Sequence, residues 1–501
     1  MKKYCYFVSN EEVWFNVAEK LFLNKIAKPV LWLGHDSLYK KAKTLFGDDV
    51  LLDLTFRHRA HKLNEISYNG EHEDFFSSIN YQTAKDRCLK MMDRLDLYSS
   101  FGRLDREVHF HYVVIWALKK IFNSKPDILI CSEAPHDWPK YIIYEICIFL
   151  KIPSYKFVMW TYVPVTSLQN FRTGRFIEKK KNNYGKYENI FFDVFKQFVT
   201  DVSQKKNFVE KFLQNNNKKK SLNYKIRKLV LGDITFNQSN SILFIIKDIK
   251  HNLFNYLKSE YNPINPFNFG IITRQYIDRK RRRNLKRSIS IHEEKIDLNK
   301  KFIYFPLHYE PERTTNPDGE NFHDQFLALV KLRNLIPKDV NIYVKEHPAQ
   351  FYNIFWGHRG RSPLFYKLVK NINGLYLVNT KFNISELILK SQFVATITGS
   401  VALESAALGK ICLTFGSTWY EGCPNVISWK DNLTFEKIIN HKIQSKEEIL
   451  NYFKFKIEKE SIINIGNASQ RKFHKDIIDD EFIIAQNNSV YNSLENLFKN
   501  I

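Results

Sequence analysis

Phe393-Val-Ala-Thr-Ile-Thr-Gly-Ser-Val-Ala-Leu-Glu-Ser-Ala-Ala-Leu-Gly409 passes from an unbroken apolar run through a small-residue turn into a helical pattern closed by glycine. The run 393–397 lacks alternation, which marks a strand buried on both faces. Residues 401–408 carry a helix, and Gly409 stands where a left-handed C-cap is favoured. Strand, tight turn and helix in that order make a βα unit, the building block of a parallel sheet. Ligands of such sheets sit beyond the carboxyl ends of the strands. There Gly399 lets a phosphate approach the backbone, the hydroxyls of Thr398 and Ser400 donate to it, and the helix dipole favours its charge. A plain N-cap at Ser400, worth about 1 kcal/mol, accounts for the same residues without a ligand. Glu404, one turn into the helix, is positioned to accept from a ribose hydroxyl; an exposed helical glutamate is the plainer reading.

The same alternation extends on both sides of this stretch. Strands are expected at 302–307, 341–345, 375–378 and 411–415, with helices at 323–336, 364–371 and 384–390, so that five strands make one Rossmann-like sheet. Two further polar clusters fall at strand ends. Lys345-Glu346-His347-Pro348 supplies donors for a leaving phosphate, with Pro348 fixing the turn that aims them. His308, Glu310 and Glu312, in Phe305-Pro-Leu-His-Tyr-Glu-Pro-Glu312, follow the first strand of this half, and paired carboxylates suit hydroxyl recognition or proton transfer. A structural histidine and a proline-ordered loop are the corresponding bland readings.

The amino-terminal half repeats the pattern. Strands are expected at 4–8, 30–34, 50–54, 127–131 and 152–158, with helices at 81–97 and 108–122. Pro126-Asp-Ile-Leu-Ile-Cys-Ser-Glu-Ala-Pro-His-Asp-Trp138 carries its most informative strand end. Glu133, His136 and Asp137 are the candidate general bases for an acceptor hydroxyl, and Trp138 is a candidate sugar-stacking ring. The fold class that follows is α/β, two Rossmann-like lobes facing a cleft. The divisions are 1–177, a basic helical segment 178–300, 301–430, and a helical tail 431–501.

The formal net charge is +23 over 501 residues. Such a balance favours nucleic acid, an anionic membrane face or phosphorylated substrates, unless Lys/Asn drift in the genome produced it. The charge clusters at 178–300, in Asn215-Asn-Asn-Lys-Lys-Lys220 and in Arg279-Lys-Arg-Arg-Arg-Asn-Leu-Lys-Arg287, with helical spacing at 190–199 and 242–257. That suits an anionic lipid surface better than nucleic acid, since no RRM, KH or helix-turn-helix pattern accompanies it. Cys5, Cys88, Cys131, Cys147, Cys412 and Cys423 are scattered without CxxC pairs, arguing against zinc and a disulfide framework. No secretory signal is expected from Met1–Val8, and no run of roughly 18 apolar residues occurs in the sequence. The expected location is cytoplasmic, at the inner face of the plasma membrane if the basic segment binds lipid.

Taken together, FPLHYEPERTTNPDG from Phe305, HDQ at 323–325, YVKEHPAQ at 343–350 and TGSVALESAALGK at 398–410 resemble bacterial capsular-polysaccharide biosynthesis proteins of the GT-B glycosyltransferase type. Their relatives include Kdo transferases and sialyltransferases with a His-Pro and a Ser/Thr motif. The resemblance spans about 302–415 and extends to 126–158; it leaves out the basic segment and the tail. It implies a nucleotide-sugar donor with no metal or cofactor, CMP-linked in the CMP-Kdo and CMP-sialic acid branches, and a glycan or glycolipid acceptor. It implies also that His347, Thr398 and Ser400 hold the donor phosphate and that Glu133 or Asp137 is the base. Sugar-nucleotide 2-epimerases and glycerol-phosphate polymer transferases share these short motifs, so a nucleoside-diphosphate sugar stays open. A non-enzymatic nucleic-acid- or membrane-binding protein, or an inactive scaffold, is the reading from another class.

Overall fold

A computed structural model describes residues 1–34, 36–47, 51–53, 68–95, 102–179, 185–203, 270–311, 314–351 and 357–500. Two sheets organise them. The first contains β1 (Lys2–Phe7), β2 (Ala27–Gly34), β3 (Leu51–Asp53), β4 (Ile128–Cys131), β5 (Ser154–Met159), β6 (Val165–Asn170) and β13 (Ile462–Ile463), in the order β13-β6-β5-β4-β1-β2-β3. The second contains β7 (Phe302–Pro306), β8 (Asn341–Lys345), β9 (Leu375–Val378), β10 (Val394–Thr396), β11 (Cys412–Thr414) and β12 (Val426–Ser428), in the order β12-β11-β10-β7-β8-β9. Every pairing in the second sheet is parallel, as are those from β5 to β3 in the first. The fold is therefore α/β with two Rossmann-like sheets.

The unbroken apolar runs have the expected cause. β4 is buried at every position, and β7 and β8 at all but one terminal residue each, because helices cover both faces of their sheets. Helix Trp138–Phe149 has Pro139 in its first turn, where the missing N–H costs nothing. Strands β6, β12 and β13 were not foreseen. β6 reads Val-Thr-Ser-Leu-Gln-Asn, a polar string, yet it is buried and runs antiparallel to β5. Its polar groups are satisfied locally: Ser167 Oγ accepts from Trp160 Nε1 at 2.9 Å, and Gln169 Nε2 donates to the Gly174 carbonyl at 2.8 Å.

The segment 431–501 is shared between the lobes. Helix Phe435–Ile439 covers the second sheet through Phe435 and Ile438, whereas β13 pairs with β6 of the first. Helix Asp480–Lys499, capped by Asp479, packs Val490, Leu494 and Phe498 into the core that contains Tyr4 and Trp14. Burying each such side chain contributes about 1.5–3 kcal/mol, so the tail fastens the amino-terminal lobe.

In the basic segment, helix Lys186–Ser203 turns Phe191, Phe195 and Phe198 inward, Phe195 stacking on Phe453 at 4.2 Å between ring centres. Helix Gly270–His292 anchors itself on the second lobe by Leu285 and Ile289 and leaves Lys280, Arg281, Arg283, Lys286 and Arg287 exposed. The lysine run 215–220 and the helical pattern 242–257 lie outside the described residues. Among the described residues, no helix is long and apolar enough to cross a membrane.

Candidate functional site

The two sheets direct their carboxyl ends at a shared cavity of about 560 Å³. From the first lobe come Glu133 and His136 after β4, Lys156 on β5, and Trp160, Thr161 and Tyr162 after it. From the second come Thr314 and Asp318 after β7, Thr398, Ser400 and Glu404 at the end of β10, and Ser417–Tyr420 after β11. Asn467, Gln470 and His474 of the returning tail close one side.

The turn after β10 is built tightly. A β-carbon at Gly399 would lie 2.8 Å from Thr396 Oγ1 and 3.4 Å from the His308 ring, so only glycine fits. The Gly399 carbonyl accepts from the Tyr420 hydroxyl at 2.6 Å. Ser400 occupies the N-cap position of helix Val401–Ala407 but makes no capping bond; its hydroxyl is bonded to Tyr162 across the cavity instead. Thr398 Oγ1 is buried with no partner among the described residues. A buried hydroxyl left without a partner costs free energy that a ligand oxygen would recover. Glu404 is half-buried at the cavity wall, and because what it faces is enclosed rather than bulk solvent, burial raises its carboxyl to about 7.

Opposite, His136 Nδ1 lies 2.9 Å from the Ala134 carbonyl, which requires a proton on Nδ1. That leaves Nε2 as the ring atom able to take up a proton, and it lies 3.7 Å from Glu133 Oε1. Asp137 is half-buried at the N-cap of helix Trp138–Phe149 and does not line the cavity. Trp138, expected to stack on a sugar, is instead 1% exposed in the core behind the first sheet, because the first-turn geometry of its helix turns it inward. It is unavailable to a ligand.

The remaining residues singled out from the sequence stand behind the cavity wall. His308 Nε2 accepts from the Thr398 N–H at 3.2 Å and lies 3.1 Å from Thr396 Oγ1, holding the turn from behind. Burial, with His347 and Arg361 nearby, pushes His308 down to about 3. Glu310 is buried, its carboxylate accepting from Gln325 Nε2 at 2.8 Å and Thr315 Oγ1 at 3.3 Å. Glu346 is also buried; it accepts from Arg361 Nε at 3.0 Å and Tyr366 Oη at 2.8 Å. These two carboxylates brace loops. Lys345, 3% exposed at the end of β8, is pushed down to about 8 by burial, opposed by Glu293. His347 is lowered to about 4 by burial and by Lys345 and Arg361; its Nδ1 accepts from the Ala349 N–H at 3.1 Å, which leaves Nε2–H as a donor. Neither histidine is charged at neutral pH. Pro348 opens the short turn Pro348–Phe351. Glu312 lies outside the described residues.

The sequence singles out Asp318 within the loop 314–319, whose groups suit sugars or bases, but does not mark Lys156, Tyr162, Tyr420 or His474. Ser417-Thr-Trp-Tyr420 directly follows an expected strand, and strand-end position was the signal available for it. Trp419 and Trp160 stack at 5.0 Å between ring centres, 19° from parallel, joining the lobes at the cavity floor. Among the described residues, no group of three metal-ligating side chains comes together.

No family model matches the chain, and no curated protein matches it in sequence. Solved structures do resemble it. The beta Kdo 2,7 transferase of KpsC from Thermosulfurimonas dismutans is 16% identical with a TM-score of 0.23, over 38% of this chain and 60% of that one. The chain thus matches about three fifths of that protein's length. UDP-GlcNAc 2-epimerase from Methanocaldococcus jannaschii is 11% identical, TM-score 0.21, over 95% of this chain and 99% of that one. A glycosyl transferase family 9 protein from Veillonella parvula gives 10% and 0.19, over 91% and 97%. These neighbours are sugar-related enzymes. At such identities and TM-scores the likeness carries no argument about activity, which rests on the site.

Proposed function

We propose that the protein transfers a sugar from a nucleotide-sugar donor to a glycan or glycolipid acceptor of surface-polysaccharide synthesis. One observation carries the reading: an unpartnered hydroxyl at Thr398, with Ser400 and Glu404 beside it, faces the His136–Glu133 pair across one interlobe cavity. In the proposed reaction the acceptor hydroxyl passes its proton to His136 Nε2 as its oxygen bonds to the anomeric carbon. The bond from that carbon to the phosphate oxygen breaks, and the electron pair leaves with the nucleotide. Thr398 and Ser400 donate to the departing phosphate, and Glu404 accepts from the ribose. His308, with His347 near it, holds the turn from behind. A CMP-linked donor is favoured on the sequence resemblance; an epimerase or glycerophosphotransferase would use the same turn.

A thermal-shift comparison of CMP, UDP, GDP and CDP tests this, since a ligand of the folded state raises Tm in step with its affinity. One nucleotide should stabilise the protein, and Thr398→Val combined with Ser400→Ala should weaken its binding by at least about 100-fold, two hydrogen bonds to a charged group at about 1.5–3 kcal/mol each being lost. No shift with any of the four, or an unaffected double variant, removes the assignment.

The acceptor we favour is membrane-attached. Support comes from the exposed basic face of helix Gly270–His292 and from Leu364 and Leu368, exposed on the adjoining helix Pro363–Lys370. Each basic residue near an anionic surface contributes about 1 kcal/mol, so Arg281→Gln, Arg283→Gln and Arg287→Gln together should weaken binding to phosphatidylserine vesicles at least about tenfold. Unchanged sedimentation with vesicles would leave the charge as genome drift.

A further inference from the structure

A second cavity, about 310 Å³, adjoins the first and shares Lys156, Asp318 and Ser417 with it as wall. Lys156 Nζ donates to Asp318 Oδ1 at 2.6 Å, joining β5 of one lobe to the loop after β7 of the other, with the two side chains 6% and 20% exposed. This ion pair is a partition between two chambers rather than a surface contact. Beyond it the wall changes character. Phe171 lies under the Lys156 ammonium at 5.0 Å and packs on Tyr144 at 4.4 Å between ring centres, and Trp429 stacks on Phe415 at 5.0 Å. Around these rings Arg87, Lys156 and Arg172 face Asp318, Glu320 and Glu421, so the chamber carries both signs and no net charge.

That combination suits a pyranose ring. Aromatic faces meet the apolar C–H face of a sugar, and a mixed set of donors and acceptors meets hydroxyls, which need both. The volume stands at the lower end of ligand pockets, which run roughly 300–1,000 Å³, and so fits a single sugar residue rather than a nucleotide sugar.

We propose that this chamber binds one sugar ring of the acceptor glycan, with the Lys156–Asp318 pair dividing it from the donor cavity. The chamber's taste for a sugar ring stands by itself; naming that sugar the acceptor rests on the transfer reading above. The acceptor's reacting hydroxyl would reach past the pair toward His136.

Saturation-transfer NMR on the full chain with the methyl β-glycosides of N-acetylglucosamine, galactose and glucuronic acid tests the proposal. Thr173 lines the chamber from an exposed turn, so Thr173→Trp fills it without touching a core. At least one glycoside should give a signal with the wild type. That binding should fall at least about tenfold in Thr173→Trp and survive in Thr173→Ser, while the thermal shift with the preferred nucleotide stays within about twofold. No glycoside signal with the wild type, or equal binding by Thr173→Trp, overturns the proposal. If glycosides bind and no nucleotide does, the transfer reading falls and the chamber remains a sugar site. If a nucleotide binds and no glycoside does, the chamber alone falls.

Discussion

His136→Ala should slow sugar transfer about 10²–10⁴-fold while nucleotide affinity stays within about twofold, the range expected when a positioned general base is removed. The expectation follows from the tautomer. With its Nδ1 proton held at the Ala134 carbonyl, the ring offers Nε2 as its only basic atom. Glu133 at 3.7 Å is near enough to stabilise the imidazolium once it has taken the proton. Glu133→Gln should therefore be slower as well, by a smaller factor, and added imidazole should restore part of the rate to His136→Ala. Asp137→Asn is the control, because Asp137 does not line the cavity; its rate should change less than about threefold. The measurement is steady-state transfer beside nucleotide thermal shift for all three variants. A fully active His136→Ala, or a loss matched by lost nucleotide binding, would assign the ring a different part.

How much of this site the sequence could reveal depends on the range of each interaction. The turn 398–400, the strand ends at 131 and 345 and the helices around them were legible because a βα unit is a local object, written in hydrophobic period and turn residues. Glu133, His136, Thr398, Ser400 and Glu404 come together for that reason. Glu310 and Glu346 carry the same residue type and the same strand-end position, yet Gln325, Arg361 and Tyr366 claim them from up to 20 residues away. Trp138 opens a helix whose register with the sheet, set by tertiary packing, turns the indole into the core and not the cavity. β6 was hidden because its buried polar residues find partners within the lobe, so its composition looks like a loop. Lys156 and Asp318 are 162 positions apart, one inside the expected strand 152–158 and the other in the loop after the strand 302–307. Nothing local marks a pair that exists only when two lobes meet.

Glu404→Gln should change how stability depends on pH. In the folded chain burial raises this carboxyl from 4.5 to about 7, whereas in the unfolded chain it keeps its ordinary value. Between those values the folded state binds the extra proton, so stability is fully present below about 4.5 and is lost as pH rises through 7. The interval corresponds to about 3 kcal/mol at 1.36 kcal/mol per pH unit. Glutamine stays neutral throughout. Urea unfolding should therefore show the two proteins nearly equal at pH 4.5 and the variant about 3 kcal/mol more stable at pH 8, since no counter-charge compensates the ionised form. Binding should move in the opposite sense. A ribose hydroxyl donates more strongly to the carboxylate than to the carbonyl oxygen of the acid, so a nucleotide sugar, whose phosphodiester or diphosphate keeps its charge over this range, should bind the wild type more tightly as pH rises from 6 to 8. In Glu404→Gln that rise should vanish. A variant whose stability follows the wild-type pH curve would mean that Glu404 is ionised as easily inside the cavity as in water. A pH-independent affinity in the wild type would remove it from the ribose while leaving the stability effect intact, which separates burial of the group from its use.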